Sequence, residues 1–222
     1  MNYNFRFDLV WSSIPELLAG AWLTIQISVM AMAIGITIAV MCAIIRIAGP
    51  TPLKLVIGAY VEVIRNTPFL VQLFIVYFGL PTIGIRFDPA TAAIVAMVVN
   101  VSAYLTEILR AGIEAVPKGQ IEAGTAVGLR PLQVFRYIVL KPAMRAVYPA
   151  LTSQYVLLML QSSIVSAISA EELTAIANDI ASRTFASFEV YIIVTGIYFA
   201  MGIAFSALFS LLFSTIFDYP DK

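Results

Sequence analysis

The chain has 222 residues, of which 61% are hydrophobic and 12% are charged, against about 45–50% and about 25% in an ordinary soluble domain. This composition predicts an integral membrane protein. The formal net charge of zero gives nucleic-acid binding no electrostatic support. With a single cysteine, Cys42, and no histidine, we expect no disulfide, no metal site and no thiol or histidine catalyst.

Stretches without charged residues predict the membrane spans, because a helix needs about 20 mainly apolar residues to cross a bilayer. Five intervals qualify or nearly do. The second contains Pro68 and Pro81, so we begin that helix earlier and accept Glu62 and Arg65 within it. The five expected spans are 17–45, 56–80, 89–110, 146–170 and 190–217.

Lys and Arg predict the orientation, because loops on the cytoplasmic side carry an excess of them. They concentrate between spans one and two and between spans three and four. An odd number of spans then places residues 1–16 outside, as a periplasmic segment, and residues 218–222 inside, as a cytoplasmic tail. The cations on the cytoplasmic side are Arg46, Lys54, Arg110, Lys118, Arg130, Arg136, Lys141 and Arg145.

Small residues recur every four positions in the first and last spans, a spacing that lets helix backbones approach closely. Ordinary contacts within the chain and a contact with another subunit both explain these two stripes. The stripes are Ala31, Gly35, Ala39 and Ala43, and Gly202, Ser206, Ser210 and Ser214.

The loop at 111–145 is long for a connector in a compact protein, where unstructured loops beyond about 12–15 residues are functional or disordered. Its sequence favours helix. Pro117 suits a first turn, residues 120–127 are good helix formers, Gly128 ends that helix and Pro131 begins a second one through Ile138. We therefore expect two short helices that form a compact knob facing water.

Polar groups inside spans are costly unless they are paired or face water, so they are candidates for a transport pathway. Glu62 with Arg65, and Glu107 with Arg110, stand three residues apart and are expected to pair as structural or gating charges. The neutral candidates for the pathway are Thr67, Gln72, Asn100, Gln161, Ser162 and Ser163.

The run Glu122-Ala123-Gly124, then Gly128, then residues 138–140 resembles the EAA loop of bacterial ATP-binding-cassette (ABC) importer permeases. Residues 60–72, with Arg65-Asn66-Thr67-Pro68, and residues 107–120 are similar to the branch that transports polar amino acids. The likeness covers most of residues 17–217, which the resemblance implies to be a single type I transmembrane domain of five helices with a cytoplasmic coupling loop.

That resemblance implies a permease in the inner membrane of a bacterium that imports polar amino acids and is not itself an enzyme. A second permease subunit, identical or related, completes the pathway within the lipid. Two cytoplasmic ATPases dock on the loop and hold the ATP and magnesium, since this chain lacks a phosphate-binding loop. A periplasmic or tethered amino-acid-binding protein delivers the substrate. The residues implied to couple to the ATPase are Glu122, Ala123, Gly124, Gly128 and Leu129.

The chain departs from the family pattern at three places. Gly124 stands where the family has a second alanine, and Lys141 stands where the family has a proline, with Pro142 one position later. The fourth span reads Leu160-Gln161-Ser162-Ser163 where the family often has Lys-Asp-Thr-Ser. The missing acidic residue weakens the expectation of a cationic substrate bound by this subunit.

Two other classes of protein remain as alternatives. An ion-coupled secondary amino-acid transporter would use polar groups near the middle of the membrane and internal repeats, which the five spans do not display. A scaffold that anchors a soluble complex would explain the loop but not the polar residues within the spans.

Overall fold

The computed structural model describes residues 5–216, apart from the side chains of Phe213, Ser214 and Ile216. All regular elements in that range are helical, which confirms the all-α prediction. The helices are α1 (Asp8–Trp11), α2 (Ile14–Ala48), α3 (Thr51–Arg65), α4 (Phe69–Phe74), α5 (Pro89–Glu114), α6 (Lys118–Ala126), α7 (Pro131–Val134), α8 (Leu140–Gln161), α9 (Leu173–Thr184) and α10 (Ser187–Ile216).

Four helical segments of the described chain are long and apolar enough to cross a membrane, and a bent pair makes a fifth. The pair consists of α3 and of α4 with its extension through a π turn and a 3-10 turn to Ile83. The predicted tail at 218–222, and Phe217 at the end of the last predicted span, lie outside the described residues.

The centre of the bundle is the packing of α2 against α5. The stripe from Ala31 to Ala43 is buried in this contact, and a Cβ on Gly35 would overlap the side chain of Val101. Of the two explanations left open for this stripe, contact within the chain is the one observed. Small residues here let the two backbones approach closely.

The second span differs from the prediction of one continuous helix from Val56. α3 ends at Arg65, and the next helical segment leaves at an angle of 109°. Pro68 is the physical reason, since proline has no N–H to continue the helix and restricts the residue before it to extended conformations.

The fourth span begins earlier than predicted. α7 continues through a π turn at Phe135–Val139 into α8 and a 3-10 turn at Ser162–Ile168, so one helical segment runs from Pro131 to Ile168. The second loop helix and the fourth span are therefore one element. Charged residues such as Lys141 and Arg145 indicate where lipid begins, and a helix can extend beyond the lipid into water.

α9 was not predicted. It joins the fourth span to α10, and it begins where the Glu172 carboxylate accepts a hydrogen bond from the backbone N–H of Ala175, at 2.9 Å. It ends at Phe185, which has a left-handed backbone with φ +54°. At 12 residues it is too short to span a bilayer, which is why a search for spans passes over it.

Candidate functional site

The loop hairpin, residues 118–134, consists of α6, a tight turn and α7. Gly128 ends α6 with a φ of +83°, and its N–H donates to the carbonyl of Thr125 at 3.0 Å. The N–H of Leu129 donates to the carbonyl of Gly124 at 3.2 Å. This pair of bonds is a Schellman motif, which requires a left-handed residue and therefore favours glycine.

Gly124 is buried beneath the hairpin, which explains its departure from the family pattern. A Cβ at this position would overlap Cδ1 of Ile138 and would lie 3.5 Å from a methyl group of Val134. Glycine thus lets α6 lie close to the start of the fourth span.

The outer surface of the loop hairpin presents apolar side chains to water. Val127 is 77% exposed and Leu132 is 76% exposed, while Glu122 and Ala123 are also exposed. Beside them lies a cleft of about 670 Å³. Gln120, Ala123, Gly124, Val127, Leu129, Tyr137, Ile138, Lys141, Pro142 and Arg145 line it. An exposed apolar knob next to a cleft has the form of a surface that another protein covers.

A charge cluster lies where α5 approaches the loop. Arg110 binds Glu107 at 2.7 Å and Glu114 at 2.6 Å, so the predicted pair of Glu107 and Arg110 is present. Arg46, from α2, adds a third contact to Glu107 at 3.5 Å. Sequence reasoning missed Arg46 in this cluster because the ion pair joins two helices that are distant along the chain.

The predicted pair of Glu62 and Arg65 is absent. Glu62 instead accepts a hydrogen bond from the amide of Asn66 at 3.0 Å, and the Arg65 guanidinium lies 5.6 Å from the centre of the Tyr104 ring. Helix spacing allowed the pair, but Asn66 at the end of α3 offers Glu62 a nearer donor.

The six neutral pathway candidates fall into two groups on neighbouring elements. Thr67, Gln72 and Asn100 form one hydrogen-bonded network at the bend of the second span. The other group lies at the end of the fourth span, where Ser162 and Ser163 each donate to a carbonyl three residues earlier. Gln161 has a buried Oε1 without a hydrogen-bond partner among the described residues.

Ser163 also lines the polar groove, a cavity of about 820 Å³ between α8 and α10. The groove contains part of the second stripe of small residues, Gly202 and Ser206. Thr195 and Tyr198 add further hydroxyl groups. Its mixture of apolar walls and a few polar groups is typical of sites for small polar molecules.

Glu172 is a polar residue that sequence reasoning missed. Its carboxylate is fully buried and accepts hydrogen bonds from Tyr198 of α10 at 2.9 Å and from Thr24 of α2 at 3.4 Å. Burial raises the pKa of this carboxyl above its usual range. Its only signal in the sequence is an acidic residue just before the apolar start of α9, a pattern typical of helix N-caps.

Comparison with known proteins shows to which protein family this chain belongs. The family described as the binding-protein-dependent transport system inner membrane component matches residues 35–222. The chain belongs to this family. The family's members are multi-pass inner-membrane permeases, and the match favours this class over an ion-coupled secondary transporter.

Curated relatives of this permease extend over almost its whole length. The glutamine transport system permease protein GlnP of Escherichia coli (strain K12) is 34% identical over 205 residues, covering 91% of this chain and 94% of the relative. The probable glutamine ABC transporter permease protein GlnM of Bacillus subtilis (strain 168) is 36% identical, covering 93% and 94%. The L-cystine transport system permease protein TcyB of the same strain is 36% identical, covering 80% and 76%.

Solved structures share the arrangement of helices in this permease. A chain in the crystal structure of an amino acid ABC transporter with histidines matches with a TM-score of 0.88 and 37% identity, covering 95% of this chain and 98% of that chain. A chain of the MetNI methionine ABC transporter, in an inward-facing crystal form, matches with a TM-score of 0.67 and 21% identity, covering 92% and 97%. The second likeness concerns the fold alone.

Proposed function

We propose that this permease forms half of the membrane pathway of an ATP-driven importer of polar amino acids. The relatives named for glutamine and cystine support this class of substrate. The observation that carries the proposal is the loop hairpin, which holds exposed apolar side chains on a rigid turn closed by Gly128.

Two ATPase subunits dock on the loop hairpins of the permease pair and supply the bound ATP and Mg²⁺. Glu122, Ala123 and Val127 contact the ATPase, while Gly124, Gly128 and Leu129 hold the hairpin in shape. Force passes directly into the fourth span, because the hairpin continues into it without an intervening loop. This subunit therefore converts movement of the ATPases into movement of the span.

The loop hairpin faces the cytoplasm in this proposal, and residues 1–16 face the periplasm. The distribution of Lys and Arg supports that orientation. A substrate-binding protein, free or tethered, then meets the periplasmic end. A second permease, as an identical copy or a related chain, closes the pathway against lipid.

The polar groove supplies one wall of the pathway, with Ser163 beside the substrate, and Gln161, which precedes the 3-10 turn that contains Ser163, contributes from next to the groove. Its hydroxyl groups suit a zwitterion or an amide better than a cation, since no acidic side chain lines the groove. The charge cluster at Glu107 and Arg110 lies near the cytoplasmic end and acts as a gate whose pairs exchange during the cycle.

Reconstitution in liposomes tests this function. The permease, its ATPase and its binding protein are incorporated, and uptake of labelled glutamine, cystine and arginine is measured with and without ATP. We expect uptake only when ATP and both partners are present. Uptake driven by an ion gradient without the ATPase would contradict the proposal.

A labelling experiment tests the orientation separately. In a Cys42→Ala background, Glu122→Cys is exposed to a membrane-impermeant thiol reagent in intact cells and in inverted vesicles. Labelling is expected only in the inverted vesicles. Labelling in intact cells would place the loop hairpin outside, where no cytoplasmic ATPase reaches it.

A further inference from the structure

The break between α3 and α4, residues 66–68, ends the helix at four backbone carbonyls, of which only that of Glu62 keeps a helical partner, the N–H of Asn66 at 3.1 Å. In lipid, an unpaired carbonyl costs several kcal/mol, as no water is available to bind it. Each of the four receives a side-chain donor at 2.8–3.5 Å. Asn66 donates to the carbonyl of Glu62, and Thr67 donates to that of Val63. Gln72 donates to the carbonyl of Ile64, and Tyr104 donates to that of Arg65.

The carbonyl of Ile64 shows why a glutamine is needed at position 72. In an unbroken helix, this carbonyl would accept the N–H of residue 68, and Pro68 has none. Nε2 of Gln72 donates to it instead, at 2.8 Å, and also to the carbonyl of Thr67 at 3.1 Å. The side chain of Gln72 thus replaces the backbone donor that proline removes.

These bonds also fix which way the amide of Gln72 points. Since Nε2 must face the two carbonyls, Oε1 faces α5 and accepts a hydrogen bond from Nδ2 of Asn100 at 2.9 Å. Gln72 is 7% exposed and Asn100 is 2% exposed, so both amides are shielded from solvent within the chain. The break is thereby attached to the middle of α5.

The other arm of the break is attached to the same part of α5. The Tyr60 hydroxyl, on α3, donates to the carbonyl of Val99 at 2.6 Å and lies 2.7 Å from the Ser102 hydroxyl. Within one stretch of α5, from Val99 to Tyr104, bonds reach α3 and α4 on both sides of the break. The angle of 109° is therefore held by a built network of polar contacts.

We propose that Gln72 is a positioning residue for transport, which holds the second span in its bent form against α5 throughout the cycle. It acts through the backbone of the break and through Asn100, without touching the substrate. Thr67 and Asn100 belong to the same brace. The inference rests on the proposed function for its uptake assay, whereas its stability assay is independent of that function.

Removing the donor and then restoring it separates positioning from simple stabilisation. Gln72→Leu removes the donor at 2.8 Å from the carbonyl of Ile64 and leaves it only the long contact to the Thr67 hydroxyl at 3.4 Å. Pro68→Ala supplies a backbone N–H, which reaches Ile64 only if the helix runs straight through the break. The double variant therefore regains the missing hydrogen bond and loses the bend.

The assays are the melting temperature of the purified importer complex and ATP-dependent uptake in liposomes. We expect Gln72→Leu to lower both the melting temperature and the uptake. Losing the partner of one buried polar group shifts an equilibrium by about tenfold, so uptake should fall by about tenfold as the bent form becomes less populated. The double variant should melt near the wild-type temperature while its uptake stays reduced. Gln26→Leu, at an exposed position of α2, is the matched control and should behave as wild type.

Three results would overturn the inference. They are normal uptake by Gln72→Leu, full recovery of uptake by the double variant, and failure of the double variant to assemble, which would make Gln72 a folding residue only. If Gln72→Leu itself does not assemble, the double variant alone decides between these outcomes. A wild-type protein without ATP-dependent uptake would instead contradict the proposed function.

Discussion

Gly128 combines a conformational requirement with a position at the tip of the loop hairpin. Its φ of +83° is costly for most residues with a side chain, by about 1–2 kcal/mol, and Asp also places a charge on this exposed turn. We expect Gly128→Asp to insert normally in the membrane and to abolish uptake, because the turn no longer presents the hairpin to the ATPase. Co-purification of the ATPase with the variant measures this directly.

Gly84 is the matched control for that experiment. It has a φ of +89°, and a Cβ there would meet nothing within 4 Å, so Gly84→Asp carries a similar backbone cost in a different turn. Binding of the ATPase should survive in Gly84→Asp. Equal loss of binding in both variants would show that general destabilisation, and not the hairpin, is responsible.

Glu172 predicts a dependence of stability on pH. Because burial raises the pKa of its carboxyl, the folded state binds more protons than the unfolded state between the unfolded and folded pKa values. The stabilising contribution of Glu172 is therefore complete below the pKa that its carboxyl has in the unfolded state. It is lost as pH rises through the pKa that the carboxyl has in the folded state. The melting temperature of the wild type should therefore fall as pH rises above the unfolded pKa of a glutamate, about 4.3.

Glu172→Gln should reduce that slope. A neutral amide keeps an acceptor for the N–H of Ala175, and the hydroxyls of Thr24 and Tyr198 can rotate to accept its N–H groups. The comparison is made by melting both proteins across the same pH range. An identical slope in the two proteins would assign the effect to another group.

At the scale of elements, the charge cluster joins α2 to α5 through Arg46 and Glu107. Glu107→Gln should impair uptake more than Arg46→Gln. The first variant leaves the guanidinium groups of Arg46 and Arg110 without the carboxylate that they share, whereas Arg46→Gln leaves Glu107 paired with Arg110. A double-mutant cycle on stability should give a coupling of about 1 kcal/mol between the two residues.

An exposed ion pair at the opposite end provides the comparison. Arg183 binds Glu16 at 2.6 Å, but both side chains are about half exposed. Water screens such pairs, so Arg183→Gln should leave uptake unchanged.

The double-mutant cycle has a contrary outcome as well. If the stability effects of Arg46→Gln and Glu107→Gln simply added, the contact between α2 and α5 would have no role in the gate.

Local chemistry made some elements predictable and left others hidden. Gly128 and Pro131 indicated a helix end and a helix start, and both lie where the structure has them. The prediction of a continuous second span is wrong at Pro68, because the missing N–H of a proline outweighs the length of the apolar run. Arg46 and Glu172 act through contacts between helices far apart in sequence, which one sequence without structure does not reveal.

At the scale of the whole molecule, the polar groove tests where the substrate passes. Ser206→Trp would place a large ring in the groove, so we expect uptake to fall sharply, because a filled groove has no room for the substrate. Binding of the ATPase should persist, because the loop hairpin is distant from the groove along the fourth span. Uptake and co-purification are measured on the same preparation.

Ala204→Trp is the control for bulk on the same helix. Ala204 is exposed and does not line the groove, so its variant should retain uptake. Equal loss in both variants would indicate that α10 tolerates no large residue on either face, and the groove would then lose its place in the pathway.

The continuous helical segment from Pro131 to Ile168 has a consequence for the size of the motion. Its 38 residues, at a rise of about 1.5 Å each, make a helical rod at most about 57 Å long, which can bend at Pro149 and at the π turn Phe135–Val139. Such a rod acts as a lever: a tilt of about 10° moves its far end by about 10 Å, more than the width of an amino acid. In the proposed transport cycle, a small swing at the loop hairpin would thus be amplified into an opening wide enough for an amino acid.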